Sequence, residues 1–193
     1  LYQGGSLLFF LFIFFLIIIL SELVNLYKLS NFKINITIYS LIAIFSLSIF
    51  PFYFFTLENN FIICGYILLS LWIFDTFSYL GGSLFKGKKI FPKLSKGKTY
   101  SGSISGAIVV FLFNFLISKY FYNEFNLNLF FLAIIICILS FTGDAIVSLL
   151  KRQSNLKDTG SLFIGHGGFL DRMDSFILVF FFFMIFDIHR LIY

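Results

Sequence analysis

Asp144, Asp171 and Asp174 are the residues whose types and spacing most clearly predict chemistry. The sequence is 60% hydrophobic and only 12% charged, and a carboxylate within a membrane is costly unless it is paired, hydrated or bound to a cation. Asp171 and Asp174 are spaced i, i+3, so they lie on one face of a helix that begins by residue 171. Together with Asp144 from the preceding helix, they offer the oxygen ligands that Mg²⁺ prefers. The pattern therefore predicts a Mg²⁺ site, and a second cation is left open.

Basic and glycine residues surround these acids in the sequence. Ser148 lies one turn after Asp144 on the same face of the helix. His166 is flanked by glycines, including Gly167 and Gly168, which expose its imidazole and let the backbone approach a ligand. An imidazole there can bond a phosphate or transfer a proton. The remaining phosphate contacts are expected from the basic side chains of the same stretch, which are Lys151, Arg152, Lys157 and Arg172.

Structural interpretations of the same residues stay open. Asp171 and Asp174 are also suited to compensating the dipole at a helix N-terminus. Asp144 could instead form an intramembrane ion pair with a basic residue of the following loop. His166 could be an ordinary loop histidine.

A second polar segment, residues 81–102, contains six Lys, five Gly and no acidic residue. Backbone N–H groups next to glycine and lysine ammonium groups can hold an anion. Ser95, Lys98 and Thr99 precede a predicted helix whose N-terminus also favours an anion, and Asp75 and Tyr79 lie one turn apart just upstream. The alternative is a topology signal that attracts anionic headgroups. Nucleic-acid binding is not expected, because the lysines lie between membrane spans.

The elements that must position these residues are membrane helices. A mean hydropathy of +0.99 and repeated long apolar runs predict an all-α, polytopic transmembrane helical bundle. About six spans are expected, at residues 7–20 (extending toward 26), 38–57, 61–80, 103–122, 129–150 and 173–193. The polar loops 81–102 and 151–170 then form the site. We expect one membrane domain over 1–193, with N-terminal helices in 1–74, a catalytic core in 75–175 and the last helix in 176–193.

Charge placement predicts the orientation. Of the fourteen Lys and Arg residues, only Lys119 and Arg190 fall on the side opposite the two polar loops. This bias predicts that both loops face the cytoplasm. We expect the membrane to be a bacterial-type inner (plasma) membrane. The chain begins with Leu1 and enters an apolar run almost at once, so we expect a natural N-terminal part to be missing.

Two motifs resemble the signature of the phosphatidate cytidylyltransferase (CDP-diacylglycerol synthase) family. The first reads Ser148-x-x-Lys151-Arg152-x4-Lys157-Asp158-x-Gly160 and continues as His166-Gly167-Gly168-x-x-Asp171-Arg172-x-Asp174. The second, Asp75-x3-Tyr79-x-Gly81 with Ser95-x-x-Lys98-Thr99, is similar to an upstream block of that family. Residues 95–102 depart from the family's usual Ser-Pro-Lys-Lys-Thr-Trp-Glu-Gly at four positions, where its Pro, one Lys, Trp and Glu are replaced.

The resemblance implies a Mg²⁺-dependent nucleotidyl transfer in phospholipid biosynthesis, in which CTP and phosphatidic acid give CDP-diacylglycerol and pyrophosphate. It implies that Asp144, Asp171 and Asp174 are metal ligands. Membrane lipids are expected to surround the protein, and a homodimer is left open. Two alternatives remain. One is a related membrane CTP-dependent lipid kinase or transferase, and the other is an ion-coupled transporter that uses Asp75 and Asp144.

Overall fold

The computed structural model describes residues 3–56, 60–92, 94–95, 97–122, 125–160 and 167–186. Within these ranges the chain forms six α-helices and no strand beyond an isolated bridge between Lys89 and Thr99, so the all-α prediction is confirmed. The helices are α1 (Gln3–Leu29), α2 (Lys33–Thr56), α3 (Asn60–Phe85), α4 (Tyr100–Tyr122), α5 (Leu127–Gln153) and α6 (Leu170–Phe186).

Five of these helices, α1 to α5, contain stretches that are long and apolar enough to cross a membrane. This agrees with a polytopic helical membrane protein. The sixth helix is described over 17 residues, and the rest of the predicted sixth span lies outside the described residues.

The predicted boundary of the first polar loop is wrong at its start. Residues 81–85 continue α3, which ends at Phe85. The reason is tight packing of α3 against α4: a Cβ at Gly102 would lie 2.5 Å from the carbonyl oxygen of Ser78, and one at Gly81 would overlap Ser105. Glycine is therefore used here for close helix approach within a continuing helix, and the loop proper is residues 86–99.

The first predicted span, 7–20 with its extension toward 26, lies within α1, which runs on to Leu29. Glu22 falls in that extension and is helical. The prediction for the last helix is closer: α6 begins at Leu170, so Asp171 lies in its first turn.

The main packing contacts follow the order α1, α2, α6, α5, α4, α3, and α3 also contacts α5, α2 and α6. The main core lies between α1, α2, α3, α5 and α6 and includes Leu23, Leu47, Ile67, Ile136 and Phe180. Apolar side chains on these inner faces bury one another, while the outer faces keep large exposed hydrophobic side chains, as expected of a bundle that faces lipid.

The connections from α1 to α2, from α3 to α4 and from α5 to α6 lie at one end of the bundle. Ser154, after α5, donates its hydroxyl to the carbonyl of Leu26 in α1 at 3.1 Å. Arg152 of α5 donates its Nε to the carbonyl of Leu94 in the first polar loop at 3.2 Å. These contacts connect segments that are far apart in sequence, and they bring both predicted signature loops to the same end.

Candidate active site

A cavity of about 350 Å³ opens at this polar end, between α3, α4, α5 and the first turns of α6. Small-molecule sites typically measure about 300–1,000 Å³. Nine of the residues predicted from the sequence line the cavity, namely Asp75, Tyr79, Ser95, Lys98, Thr99, Asp144, Asp171, Arg172 and Asp174. The tertiary structure therefore joins the two sequence motifs in one place.

Asp144 of α5 lies at the centre of this cavity. Its Oδ1 accepts a hydrogen bond from the Ser175 hydroxyl at 2.8 Å, and its Oδ2 lies 2.5 Å from the Nζ of Lys98. The carboxyl of Asp174 lies close enough to Asp144 for the two groups to interact electrostatically. Two carboxylates from neighbouring helices are thus adjacent, which is the arrangement that a bound cation would stabilise.

Asp75 is another of the four carboxylates that line the cavity. It accepts a hydrogen bond from the Ser140 hydroxyl of α5 at 2.9 Å and is close enough to interact electrostatically with Asp144 and Lys98. Asp75 of α3 and Asp144 of α5 therefore lie on the wall of the same cavity.

Gly143 makes the approach of α5 to α6 possible. A Cβ at this position would lie 2.8 Å from the carbonyl oxygen of Asp174 and 3.0 Å from the Cα of Ser175. The absence of a side chain at Gly143 therefore brings Asp144 next to Asp174.

Backbone contacts between the two ends of the first polar loop hold Lys98 in place. Ile90 donates its N–H to the Lys98 carbonyl at 3.0 Å, and Thr99 forms the bridge with Lys89. The Lys98 ammonium group then reaches Asp144, the Phe141 carbonyl at 3.3 Å and the face of the Phe141 ring at 4.9 Å. It is the basic group directed most clearly at the paired acids.

Thr99 has a helix-capping contact. Its Oγ1 accepts the N–H of Gly102 at 3.1 Å in the first turn of α4, and only 8% of the residue is exposed. Its predicted substrate contact is untested, and the capping explains its place just before the helix.

Asp171 does not face Asp144 with a free carboxylate. Its Oδ1 accepts the ammonium group of Lys151 at 2.7 Å, and its Oδ2 accepts the N–H groups of Thr159 and Gly168 at 3.0 Å each. Burial alone would raise the pKa of the Asp171 carboxyl, but the bonds from Lys151 and from the two N–H groups outweigh burial, and the pKa lies below its ordinary value. Asp171 therefore holds the second loop against α5 and α6.

The glycines of the second loop serve this arrangement. Gly167 has a φ of +85°, a conformation that favours glycine, and Gly168 gives its N–H to Asp171. In this geometry the Gly168 N–H is already engaged, although the sequence predicts both glycines to bind substrate. His166 lies outside the described residues.

The other predicted basic residues lie outside the cavity. Arg152 donates to the carbonyls of Leu94 and Leu156, at 3.2 and 3.0 Å, and so connects the two polar loops. Lys157 is exposed, while Ser148 and Lys151 are partly buried. Their catalytic or substrate-binding roles stay predictions.

The metal prediction can be weighed against this donor set. No three Asp, Glu, His or Cys side chains of the described residues form a ready group of ligands. Asp144 and Asp174 nevertheless fit a Mg²⁺ ion, which commonly takes one or two protein carboxylates and completes its shell with water and substrate phosphate oxygens. Asp171 as the third ligand stays a prediction: its carboxylate accepts Lys151 and two loop N–H groups. Both oxygens of Asp144 also have partners, the Ser175 hydroxyl and Lys98, and a bound ion would have to replace or share them.

Sequence reasoning missed Glu22. This acid in α1 is only 4% exposed and contacts the second loop and the start of α6. The argument used for Asp144, that an acid within an apolar segment needs a partner, would have found it. Ser140 and Ser175, which donate to the acids, carry no comparable sequence signal.

The fold and the cavity define a class: a polytopic helical membrane protein with a carboxylate and lysine site at the polar end of its bundle. The sequence model of the cytidylyltransferase family matches residues 1–188, and the chain belongs to that family. The resemblance seen in the two motifs is thereby confirmed.

Curated relatives carry a more specific name. The chain is similar to proteins named phosphatidate cytidylyltransferase from Rickettsia conorii (39% identity over 128 residues, 62% of this chain and 55% of the relative) and Rickettsia typhi (41% over 130 residues, 64% and 57%). A protein of the same name from Staphylococcus haemolyticus is 39% identical over 117 residues, 59% of this chain and 44% of the relative. The matched regions thus cover about half the length of these relatives.

Proposed function

We propose that the protein is a phosphatidate cytidylyltransferase that converts CTP and phosphatidic acid into CDP-diacylglycerol and pyrophosphate. A phosphate oxygen of the lipid forms a bond to the α-phosphorus of CTP. The bond from that phosphorus to the oxygen bridging the α- and β-phosphates breaks, and pyrophosphate leaves. The observation that carries the proposal is the family match over residues 1–188, supported by a cavity that contains residues from both motifs.

Such a transfer depends mainly on positioning and charge neutralisation. Lys98 and Arg172 line the cavity and would hold phosphate oxygens of the two substrates. Because Lys98 already contacts Asp144, it would place a bound phosphate beside the acid pair.

Asp144 and Asp174 would hold Mg²⁺, with Asp171 as the further candidate ligand. When bound, the ion would neutralise phosphate charge and help to orient the two substrates. Ser175 and Ser140 fix the orientations of Asp144 and Asp75 through their hydroxyl hydrogen bonds.

The place of the cavity suits a substrate that stays in the membrane. Phe74, Phe141 and Tyr79 line the same cavity as the charged groups, and Tyr79 is 76% exposed. An apolar wall beside a phosphate-binding group matches a lipid with a phosphate headgroup. We propose that this end faces the cytoplasm of a bacterial-type cell, with the protein in the inner membrane, as the lysine distribution predicts.

A labelling experiment separates this reaction from the related kinase. Purified protein in mixed micelles would be given Mg²⁺, phosphatidic acid and CTP labelled with ³²P on either the α- or the γ-phosphate. The proposal expects α-label in the lipid product and γ-label in pyrophosphate. Parallel reactions with diacylglycerol test for a kinase, which would put γ-label into lipid. No lipid-bound α-label from folded protein would refute the proposal.

The relatives' names favour the transferase over the ion-coupled transporter as well. The same preparation without CTP, reconstituted in vesicles, would show cation-driven flux only if the transporter hypothesis were correct.

A further inference from the structure

Glu22 is a buried acid at a point where α1 meets the second polar loop. Its Oε2 accepts the hydroxyl of Thr159 at 2.7 Å and the N–H of Leu170 at 3.0 Å, and its Oε1 accepts the N–H of Phe169 at 2.8 Å. A carboxylate that is 4% exposed must have such donors to remain in the protein interior.

Two of the three donors are backbone groups at the start of α6. The first N–H groups of a helix lack partners within the helix and form the positive end of its dipole. Glu22 supplies both the missing acceptors and the negative charge, although it belongs to a helix 147 residues away in sequence. The start of α6 is therefore fixed by α1 as well as by its own residues.

Two glycines of the signature motif are shaped to this carboxylate. A Cβ at Gly160 would lie 2.7 Å from the Oε1 of Glu22, and a Cβ at Gly168 would lie 2.5 Å from its Oε2. A side chain at either position would push the second loop away from Glu22. Close packing against Glu22 thus explains why the motif has glycine at both positions.

The residues that follow Leu170 carry the candidate chemistry. Asp171, Arg172 and Asp174 all lie within the first turns of α6 and line the cavity. A displacement of the helix start would move these three residues relative to Asp144, which belongs to α5. Errors of about 1 Å in such positions can lower a reaction rate by about 100-fold.

We propose that Glu22 is a positioning residue: it holds the first turn of α6 so that Asp171, Arg172 and Asp174 keep their places on the cavity wall, opposite Asp144 of α5. This role rests on the proposed function. Glu22 lies behind the second loop and acts through α6, without contact with the reacting atoms.

The Glu22→Gln variant tests the role with little change in size. The amide keeps one acceptor oxygen and replaces the other with an N–H₂ donor, which meets the N–H of either Phe169 or Leu170. We expect kcat/KM for CTP to fall about tenfold or more, since hydrogen bonds to charged groups are the stronger ones. Because misplaced phosphate-binding groups weaken binding, part of this loss should appear as a higher KM.

Ser21→Ala is the matched control, since Ser21 is the exposed neighbour of Glu22 in the same helix. It should leave both kinetic constants unchanged. A variant that only reduced the folded fraction would lower the apparent kcat and leave KM unaltered. An unchanged KM for Glu22→Gln, measured with active wild-type protein, would overturn the positioning role.

Hydrogen exchange supplies a readout that does not require activity. The amides of Phe169 and Leu170 should exchange faster in Glu22→Gln than in wild type or Ser21→Ala. If wild type makes no CDP-lipid but this exchange difference is present, the proposed function fails while the contact at α6 stands. Unchanged exchange with normal wild-type activity would refute the Glu22 proposal alone.

Thr159→Val covers the case in which Glu22→Gln does not fold. It removes the hydroxyl that lies 2.7 Å from the Oε2 of Glu22 and 3.2 Å from the Oδ2 of Asp171, and it leaves both backbone bonds to Glu22. A smaller rise in KM, in the same direction, is expected. If Glu22→Gln does not fold and Thr159→Val has the same KM as wild type, the proposal is contradicted.

Discussion

Lys98 and Asp144 form an ion pair in which the Nζ and Oδ2 atoms are 2.5 Å apart. The pair joins the first polar loop to α5, and it directs the lysine at the acid that also neighbours Asp174. Both side chains are partly exposed to the cavity, at 19% and 26% of their surface. They are therefore accessible to a phosphate or a cation that enters.

Lys98→Ala should lower kcat/KM about 100-fold, because it removes the ammonium group closest to the paired acids. Lys88→Ala is the matched control: Lys88 belongs to the same loop, but its side chain is exposed. We expect near-normal activity for Lys88→Ala in the CDP-lipid assay. Equal losses in the two variants would show that the loop acts only through its total charge.

Asp174→Asn should abolish product formation without loss of stability. The change removes one of two adjacent carboxylates that repel each other, and an amide oxygen can still accept the N–H of Ser175, which is 2.8 Å from Oδ1. We therefore expect an equal or higher Tm in Mg²⁺-free detergent buffer, together with activity lower by at least about 100-fold. Retained activity would remove Asp174 from the candidate ligands.

Lys151→Met should destabilise the protein, because it leaves the Asp171 carboxylate with 12% exposure and without its cation. Removing one partner of a fully buried pair costs about 3–5 kcal/mol. This pair is partly exposed and Asp171 keeps the N–H groups of Thr159 and Gly168, so the loss should be smaller. The double variant Lys151→Met with Asp171→Asn should recover part of that loss, since no unpaired charge remains. The measurement is Tm by differential scanning fluorimetry.

Lys157→Met serves as the control for this pair, as Lys157 is an exposed lysine of the same loop. Its Tm should match that of wild type. If the double variant were as unstable as Lys151→Met alone, the ion pair would not be the cause of the loss.

Gly143→Ala should impair activity by separating α5 from α6. The new Cβ would meet the Asp174 carbonyl at 2.8 Å, so the helices must move apart and carry Asp144 away from Asp174. Gly65→Ala is the matched helical control, since a Cβ there meets nothing within 4 Å. Alanine favours a helix over glycine by about 1 kcal/mol, so Gly65→Ala should retain activity and gain some stability. A normal rate for Gly143→Ala would contradict the close-packing argument.

The architecture follows largely from local sequence. Apolar runs long enough to span a bilayer predict the helices, because backbone polar groups in lipid must be satisfied within the segment. The helix ends were less predictable. Gly81 reads as a turn residue, yet α3 passes through it because Ser105 of α4 packs against that point.

The sequence by itself determined which segments cross the membrane and which polar residues gather between them, since hydropathy and spacing along one chain carry that information. Only the tertiary structure decided that Asp144 forms an ion pair with Lys98 and that Asp171 forms one with Lys151. It also decided that Glu22 fixes the start of α6. The direction of a carboxylate depends on the donors that surround it, and for Glu22 these donors lie 137 to 148 residues along the chain. Packing of distant helices brings such groups together, so no local pattern can specify the contact.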